Sequence, residues 1–242
     1  MKPNVIEESV QFGKRRIPYH LHRVNRKHLR IAISPDLRVD VYSPKSSSDQ
    51  QVKKAILQKA SWIARILDKI ETYHPLPSPK KYISGETFIY LGRHYRLKVR
   101  EGKNQSAKLQ GRFLWVQVTD KQNRKSVRRI VEAWYREHAQ QTFQRYLKQC
   151  YVIASRHGVD KPTISIRSMK RRWGSCTQAG RITLNVKLIQ VPVHCIEYVI
   201  MHELCHLKHH NHDRGFYSLL TRCMPDWRWR KQSIDQIALG CD

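Results

Sequence analysis

Alternating apolar and polar positions predict short β-strands with one buried face over residues 8–43. Residues 31–34 and 37–42 alternate most clearly, and the turn at 34–36 between them predicts a hairpin. Pro44 then ends the second strand, and the serine-rich stretch 46–49 supplies a helix N-cap. The chain is therefore expected to pass from a small sheet directly into a helix.

A helical period replaces the alternation after residue 49. It predicts a helix that ends near Tyr73, because apolar residues recur at three- and four-residue steps. The proline-rich segment 74–79 sustains neither a helix nor a strand, since proline removes a backbone donor and fixes φ. We therefore expect a first region over residues 1–75, made of a β-hairpin and a helix. The apolar positions of this helix are Val52, Ile56, Ala60, Ile63, Leu67 and Ile70.

Strands with glycine-marked turns predict a small β-meander over residues 80–122. The strands are expected at 87–91, 94–99 and 113–118. A long amphipathic helix follows, with apolar residues from Val127 to Ile153 and a stop at Gly158. We expect its aromatic side chains in a core and not on a base-stacking platform.

Two further strands and a helix are predicted toward the C-terminus. Residues 163–166 and 181–189 are expected to pair as an antiparallel hairpin with a glycine turn at Gly180. Pro192 ends the second strand, and an apolar helix is expected to begin near Val193. The predicted fold class is α+β, with a β-rich N-terminal region containing helices and a C-terminal region, 123–242, whose hairpin packs on this helix. No internal repeat is evident.

Composition adds a strong positive charge to this picture. The 242 residues contain 46 Lys and Arg against 19 Asp and Glu, a net charge of +27. Such an excess attracts polyanions such as nucleic acid, although it is also consistent with a merely solvated surface. The six cysteines are scattered without a Cys-x-x-Cys pair, which argues against a disulfide scaffold.

Neither a signal-peptide layout nor an apolar run of membrane-spanning length occurs in the sequence. We therefore expect a cytoplasmic protein without a membrane partner. The oligomeric state does not follow from the sequence.

His202, Glu203 and His206 form a His-Glu-x-x-His motif on the last predicted helix. Residues four apart lie on one helical face, so both imidazoles can bind one metal ion. Glu203 then lies beside the ion, where a carboxylate can take a proton from a bound water. Zinc is the expected ion, although imidazoles also accept Ni²⁺ or another divalent ion.

A catalytic zinc site needs a third protein ligand, and the candidates after the helix are His209, His210, His212 and Asp213. We favour His212, because its spacing from His202 equals that of the metzincin motif, provided that the chain turns back after the helix. Asp213 is instead expected to cap a new helix, and His209 and His210 are expected to be exposed.

The C-terminal residues resemble the YgjP-like metallopeptidase family, which is related to the SprT-like and WLM metallopeptidases. The resemblance is carried by residues 172–176 (Arg-Trp-Gly-Ser-Cys), 182–185 (Ile-Thr-Leu-Asn), the motif within 198–206 and 211–212 (Asn-His). It implies a zincin-like domain over 123–242, with one zinc ion on three histidines and Glu203 as general base. The implied ligands are His202, His206 and His212.

The resemblance also implies that the segment before the motif lies over the metal-binding helix. The candidate substrate-binding residues there are Trp173, Gly174, Ser175 and Asn185. Tyr198, one turn before His202, and Tyr217 are candidate oxyanion donors, although core packing is the simpler role for each.

The predicted function is zinc-dependent hydrolysis of peptide bonds in a peptide or protein substrate, with the basic surface as a means of acting at nucleic acid. The alternative is a basic nucleic-acid-binding protein with a structural or vestigial metal site. A metal-dependent nuclease is less favoured, because two-metal nuclease sites use carboxylates and these are scarce near His202.

Overall fold

The computed structural model describes residues 5–34, 36–71, 80–169 and 172–238. These residues form two compact units, with described residues 5–71 in the first and 80–238 in the second. Each unit combines sheet and helix, so the predicted α+β class is confirmed. The finer division of the second unit at residue 122 stays a prediction. None of the helices in the described ranges is long and apolar enough to cross a membrane.

The first unit is a four-stranded sheet packed against two helices. The predicted hairpin is confirmed, but the single predicted helix is two helices that separate at Lys59. Ser48 caps the first of them through a reciprocal pair of bonds with Gln51. The six predicted apolar positions are all buried. The elements are β1 (Val5–Phe12), β2 (Arg15–Val24), β3 (Arg30–Ile33), β4 (Val39–Pro44), α1 (Asp49–Gln58) and α2 (Ala60–Glu71).

The second unit begins with a sheet of the same topology as the first. In the first sheet the order is β1-β2-β4-β3 with β2 and β4 parallel. The second sheet has the order β5-β6-β8-β7 with β6 and β8 parallel. The structure thus contains a repeated strand arrangement that the sequence pattern did not reveal. The elements are β5 (Thr87–Tyr90), β6 (Arg93–Glu101), β7 (Ser106–Gln110), β8 (Phe113–Val118) and α3 (Arg124–Ser155).

A three-stranded sheet and three helices complete the second unit. The predicted antiparallel pairing of 163–166 with 181–189 is wrong, because β9 and β11 are parallel. The hairpin partner of β11 is the short strand β10, and residues 186–190 form a 3₁₀ helix instead of strand. The elements are β9 (Thr163–Arg167), β10 (Gly174–Cys176), β11 (Arg181–Asn185), α4 (Val193–His206), α5 (Arg214–Cys223) and α6 (Trp227–Ala238).

Helix α4 lies at the centre of the second unit. It contacts α3, α5, α6 and β10, which explains why its residues are apolar on nearly every side. The aromatic residues of α3 face the same core, as predicted, since Trp134, Tyr135 and Phe143 are buried. The His-Glu-x-x-His motif therefore lies on an almost fully enclosed helix.

The turn between β5 and β6 is hydrogen-bonded to the segment that precedes α4. The backbone amides of Leu91 and Gly92 donate to the carbonyls of Ile189 and Gln190, each at 2.9 Å. Gly92 has a φ of +77°, and a Cβ there would lie 2.7 Å from Cγ and 3.1 Å from Cα of Pro192. Only glycine allows this close approach to the residue that precedes α4.

We expect Gly92→Ala to lower the free energy of unfolding by about 2 to 3 kcal/mol, through left-handed strain and the clash with Pro192. Chemical denaturation measures this loss. Gly111→Ala is the matched control, because Gly111 also has a positive φ, +59°, but has nothing within 4 Å of an added methyl group. It should cost only about 1 kcal/mol. Equal losses in the two variants would show that the contact with Pro192 contributes nothing.

Candidate metal centre

Three imidazoles converge at the C-terminal end of α4. The Nε2 atoms of His202 and His206 lie 3.2 Å apart, those of His206 and His212 3.2 Å, and those of His202 and His212 3.0 Å. Two nitrogen ligands at about 2.0–2.1 Å from a tetrahedral zinc ion would be about 3.3 Å apart. These three residues, the histidine cluster, therefore fit a divalent ion that binds nitrogen.

The chain reversal after α4 brings His212 back to the other two histidines. Helix α4 ends at His206, and α5 begins after Asp213, whose carboxylate accepts a bond from the amide of Phe216 at 2.9 Å. The predicted Asp213 cap is thereby confirmed. His210 is exposed as predicted, whereas His209 is half-buried. The difference arises because the His209 ring packs against Gly215, where a Cβ would lie 2.8 Å from its Cε1.

The protonation of His202 and His206 suits metal binding. Nδ1 of His206 lies 3.0 Å from the carbonyl oxygen of His209, to which it donates, so Nε2 presents its lone pair to the cluster. Burial, together with the neighbouring His206 and His212, lowers the pKa of His202 to about 3. Burial also lowers the pKa of His206. Neutral imidazoles at neutral pH are the form that binds a metal ion.

The Phe216 ring packs against all three imidazoles of the cluster, a contact that the sequence pattern did not predict. Its ring centroid lies 5.0, 4.5 and 4.8 Å from those of His202, His206 and His212. The available signal was its position four residues after His212, on the first turn of the capped helix. By packing against all three rings, Phe216 restricts their orientations.

Glu203 lies beside the cluster, in a gap that Gly174 leaves open. Its side chain is only 6 % exposed, and a Cβ at position 174 would lie 2.7 Å from its Oε1 and 2.8 Å from its Cγ. Burial raises the pKa of Glu203 to about 7, and the guanidinium of Arg172 partly offsets this rise. Residue 174 must therefore lack a side chain for the carboxylate to occupy this place.

We expect Gly174→Ala to lower turnover by about a hundredfold while zinc content stays unchanged, because the added methyl displaces the Glu203 carboxylate. Steady-state kinetics and metal analysis of the purified variant measure the two effects. In a Glu203→Gln background the same substitution should cost much less, since the affected carboxylate is already absent. Additive losses in the double variant would contradict this account.

Asn185 organises the segment that leads into β10. It is only 3 % exposed, and its Nδ2 donates to the carbonyls of Met169 and Arg172 at 2.8 and 3.0 Å. Its Oδ1 accepts from the amide of Lys187 at 3.2 Å. The side chain is thus engaged with backbone. Trp173 and Ser175 are half-buried in or beside β10, and substrate contact by Trp173, Gly174, Ser175 and Asn185 stays a prediction.

The two candidate oxyanion donors differ in accessibility. Tyr198 is buried, with its ring 5.8 Å from that of His202, and burial raises its pKa. Tyr217 is 39 % exposed, and its ring lies 6.2 Å from that of His212. Of the two, Tyr217 is the side chain that a ligand at the cluster can reach from solvent.

One family model matches most of the described chain. The family model of the YgjP-like metallopeptidase domain matches residues 27–237. Among solved structures, the chain is similar to the metallopeptidase zymogen of Pyrococcus abyssi abylysin, at 25% identity and a TM-score of 0.34, with 39% of this chain and 90% of that chain covered. No curated protein matches the chain significantly.

Proposed function

The chain belongs to the YgjP-like metallopeptidase family, and on that premise we propose that it hydrolyses peptide bonds with a zinc ion bound by His202, His206 and His212. The family implies a divalent metal and a peptide substrate. The observation that carries the proposal is the approach of three Nε2 atoms to within 3.2 Å of one another, next to the buried carboxylate of Glu203.

The site residues divide the chemistry between them. When bound, zinc would supply Lewis acidity toward the attacking water and the scissile carbonyl. Glu203 accepts the proton of the attacking water and passes it to the leaving amine. Tyr217 donates a hydrogen bond to the developing oxyanion from the open side of the cluster. The three imidazoles would hold the metal through their Nε2 atoms, since each ring offers one nitrogen to the cluster.

The free edge of β10 supplies a binding surface for an extended peptide. Among the described strands, β10 pairs only with β11, so its outer edge has unpaired backbone groups. The strand also contacts α4, which places this edge beside the catalytic helix. A substrate that adds to the edge by backbone pairing would pass Glu203. The backbone bonds would then provide affinity, and pockets for the substrate side chains would provide sequence specificity.

Metal analysis combined with an unbiased peptide-cleavage profile tests the proposal. The purified protein is expected to contain one zinc ion per chain and to cleave peptides, with activity lost on chelation and restored by zinc. Restoration by nickel alone would correct the identity of the ion. A protein that holds zinc stoichiometrically but cleaves nothing in a diverse peptide library would overturn the peptidase function.

The alternative, a nucleic-acid-binding protein with a structural metal, is less well supported. Structural zinc sites have four protein ligands, and among the described residues the cluster of potential ligands contains only the three histidines. The +27 charge still predicts action at nucleic acid. Binding of unrelated single-stranded and duplex DNA over a salt series tests it, because phosphate contacts weaken steeply as salt rises. No binding at low salt would refute this prediction.

A further inference from the structure

A basic, widely open surface pocket of about 640 Å³ lies on the face of α5 opposite its buried side. In α5, Phe216, Leu219, Leu220 and Cys223 are buried, whereas positions 214, 217, 218, 221 and 222 line the cavity on one helical face. Residues of α6 complete it. We call this cavity the arginine pocket; its lining residues are Arg214, Tyr217, Ser218, Thr221, Arg222, Trp227 and Arg228.

The three guanidinium groups of the arginine pocket have no carboxylate partner within the part of the chain that the structure describes. Arg214, Arg222 and Arg228 form no ion pair with any residue in the described ranges, and all three are exposed. Arg230, by contrast, is paired with Glu197 and Asp226. The pocket therefore concentrates positive charge and planar hydrogen-bond donors, which suit a carboxylate or a phosphate.

Tyr217 connects the arginine pocket to the histidine cluster. Its ring lies 6.2 Å from that of His212 on one side and 5.4 Å from that of Trp227 on the other. Extended peptide advances roughly 3.3 Å per residue, so a residue about two or three positions from a bond held at the cluster reaches the pocket. The pocket is thus within reach of a peptide bound at the catalytic centre.

The Trp227 ring of the pocket is already covered, which argues against stacking of a nucleobase on it. Trp227 packs against Tyr217 at an interplanar angle of 24°, and the guanidinium of Arg228 lies 4.8 Å from its ring centroid. The indole Nε1 donates to Thr221 Oγ1 at 2.9 Å, which fixes the ring. Single-stranded nucleic acid is usually held by open aromatic faces, and this pocket offers mainly charge.

We propose that the arginine pocket is a subsite for a carboxylate of the peptide substrate, supplied by an acidic side chain or by the C-terminus. The inference rests on the proposed peptidase function. Arg214 and Arg222 extend from α5 toward the substrate carboxylate, and Arg228 lies on Trp227 as a third donor. The enzyme would then select its cleavage position by a negative charge near the scissile bond.

Equilibrium binding to zinc-loaded Glu203→Gln protein tests the subsite without turnover. The probes are fluorescein-labelled hexapeptide amides with one Glu at each position in turn, their Gln counterparts, and a set with a free C-terminal carboxylate. One carboxylate position is expected to bind about tenfold more tightly than its neutral counterpart, as charge-assisted bonds to arginine allow. The position of the gain distinguishes a side-chain carboxylate from the terminal one.

Charge reversal supplies the matched comparison. Arg222→Glu should remove the preference and favour a Lys-containing peptide instead, a gain that a misfolded variant cannot produce. Arg136→Glu makes the same charge change at an exposed residue of α3 and should keep the original preference. Equal loss in both variants, or no preference in the parent, would overturn the subsite. Loss of single-stranded DNA binding in Arg222→Glu, without any peptide preference in the parent protein, would also overturn the subsite. The pocket would then be a nucleic-acid contact.

Cleavage of the same peptides by the zinc-loaded wild type separates the two proposals. Cleavage without a carboxylate preference would reject the subsite and leave the peptidase function standing. A carboxylate preference in binding, with no cleavage of any peptide, would reject the peptidase function while the arginine pocket remains a carboxylate site.

Discussion

Replacement of Glu203 by glutamine is expected to lower kcat by about a thousandfold, the usual contribution of a general base. Glutamine keeps the size of the side chain and its place against Gly174, but it cannot accept a proton. Zinc content should stay unchanged, because Glu203 lies beside the histidine cluster and is not part of it. Steady-state kinetics and metal analysis of the same preparation measure both quantities.

Glu137→Gln is the control for this variant, because Glu137 is an exposed glutamate of α3 and loses the same charge. Its activity should match that of the wild type. Full activity of Glu203→Gln would exclude Glu203 as the base. Loss of zinc from that variant would instead identify the carboxylate as a metal ligand.

Removal of His212 is expected to weaken zinc binding by at least about a hundredfold, since even residues that only orient ligands contribute ten- to a hundredfold. His212→Ala leaves two imidazoles on α4, too few for a stable site in competition with a chelator. The wild type should gain about 2.7 kcal/mol of stability at a free zinc concentration a hundred times Kd, and the variant should gain almost none. Competition with a chromophoric chelator and zinc-dependent thermal unfolding measure these effects.

His210→Ala is the matched control, because it removes a neighbouring imidazole that is exposed and lies outside the histidine cluster. Its zinc affinity should equal that of the wild type. If His210→Ala weakened zinc binding as strongly as His212→Ala, the third ligand would be misassigned. Undiminished zinc binding in His212→Ala would likewise show that His212 is not the third ligand.

The parts of the candidate site that sequence predicted well are local in the chain. The spacing of His202 and His206 places both on one face of α4 whatever surrounds the helix. Asp213 caps α5 through a bond to an amide only three residues away, so the reversal that returns His212 was also predictable. The buried aromatic residues of α3 followed from their period in the same way.

The errors arose where distant segments pair. β9 pairs with one edge of β11 in the parallel direction while β10 occupies the other edge, and no periodicity in 163–166 encodes the partner or the direction. The shared strand order of the two four-stranded sheets was not predictable from the sequence for a similar reason. Strand order depends on which edges meet, and many unrelated alternating sequences satisfy the same arrangement.

Chain spacing and helix caps were thus sufficient to predict that the three histidines converge and that Glu203 lies beside them, because these features depend on residues within about three turns of one another. Contacts between distant segments were required for the rest. Gly174 makes room for a glutamate 29 positions later (203 − 174), and Asn185 fixes the segment before β10. The arginine pocket exists only because α6 packs back beside α5, which brings Arg228 and Trp227 to the exposed face of α5.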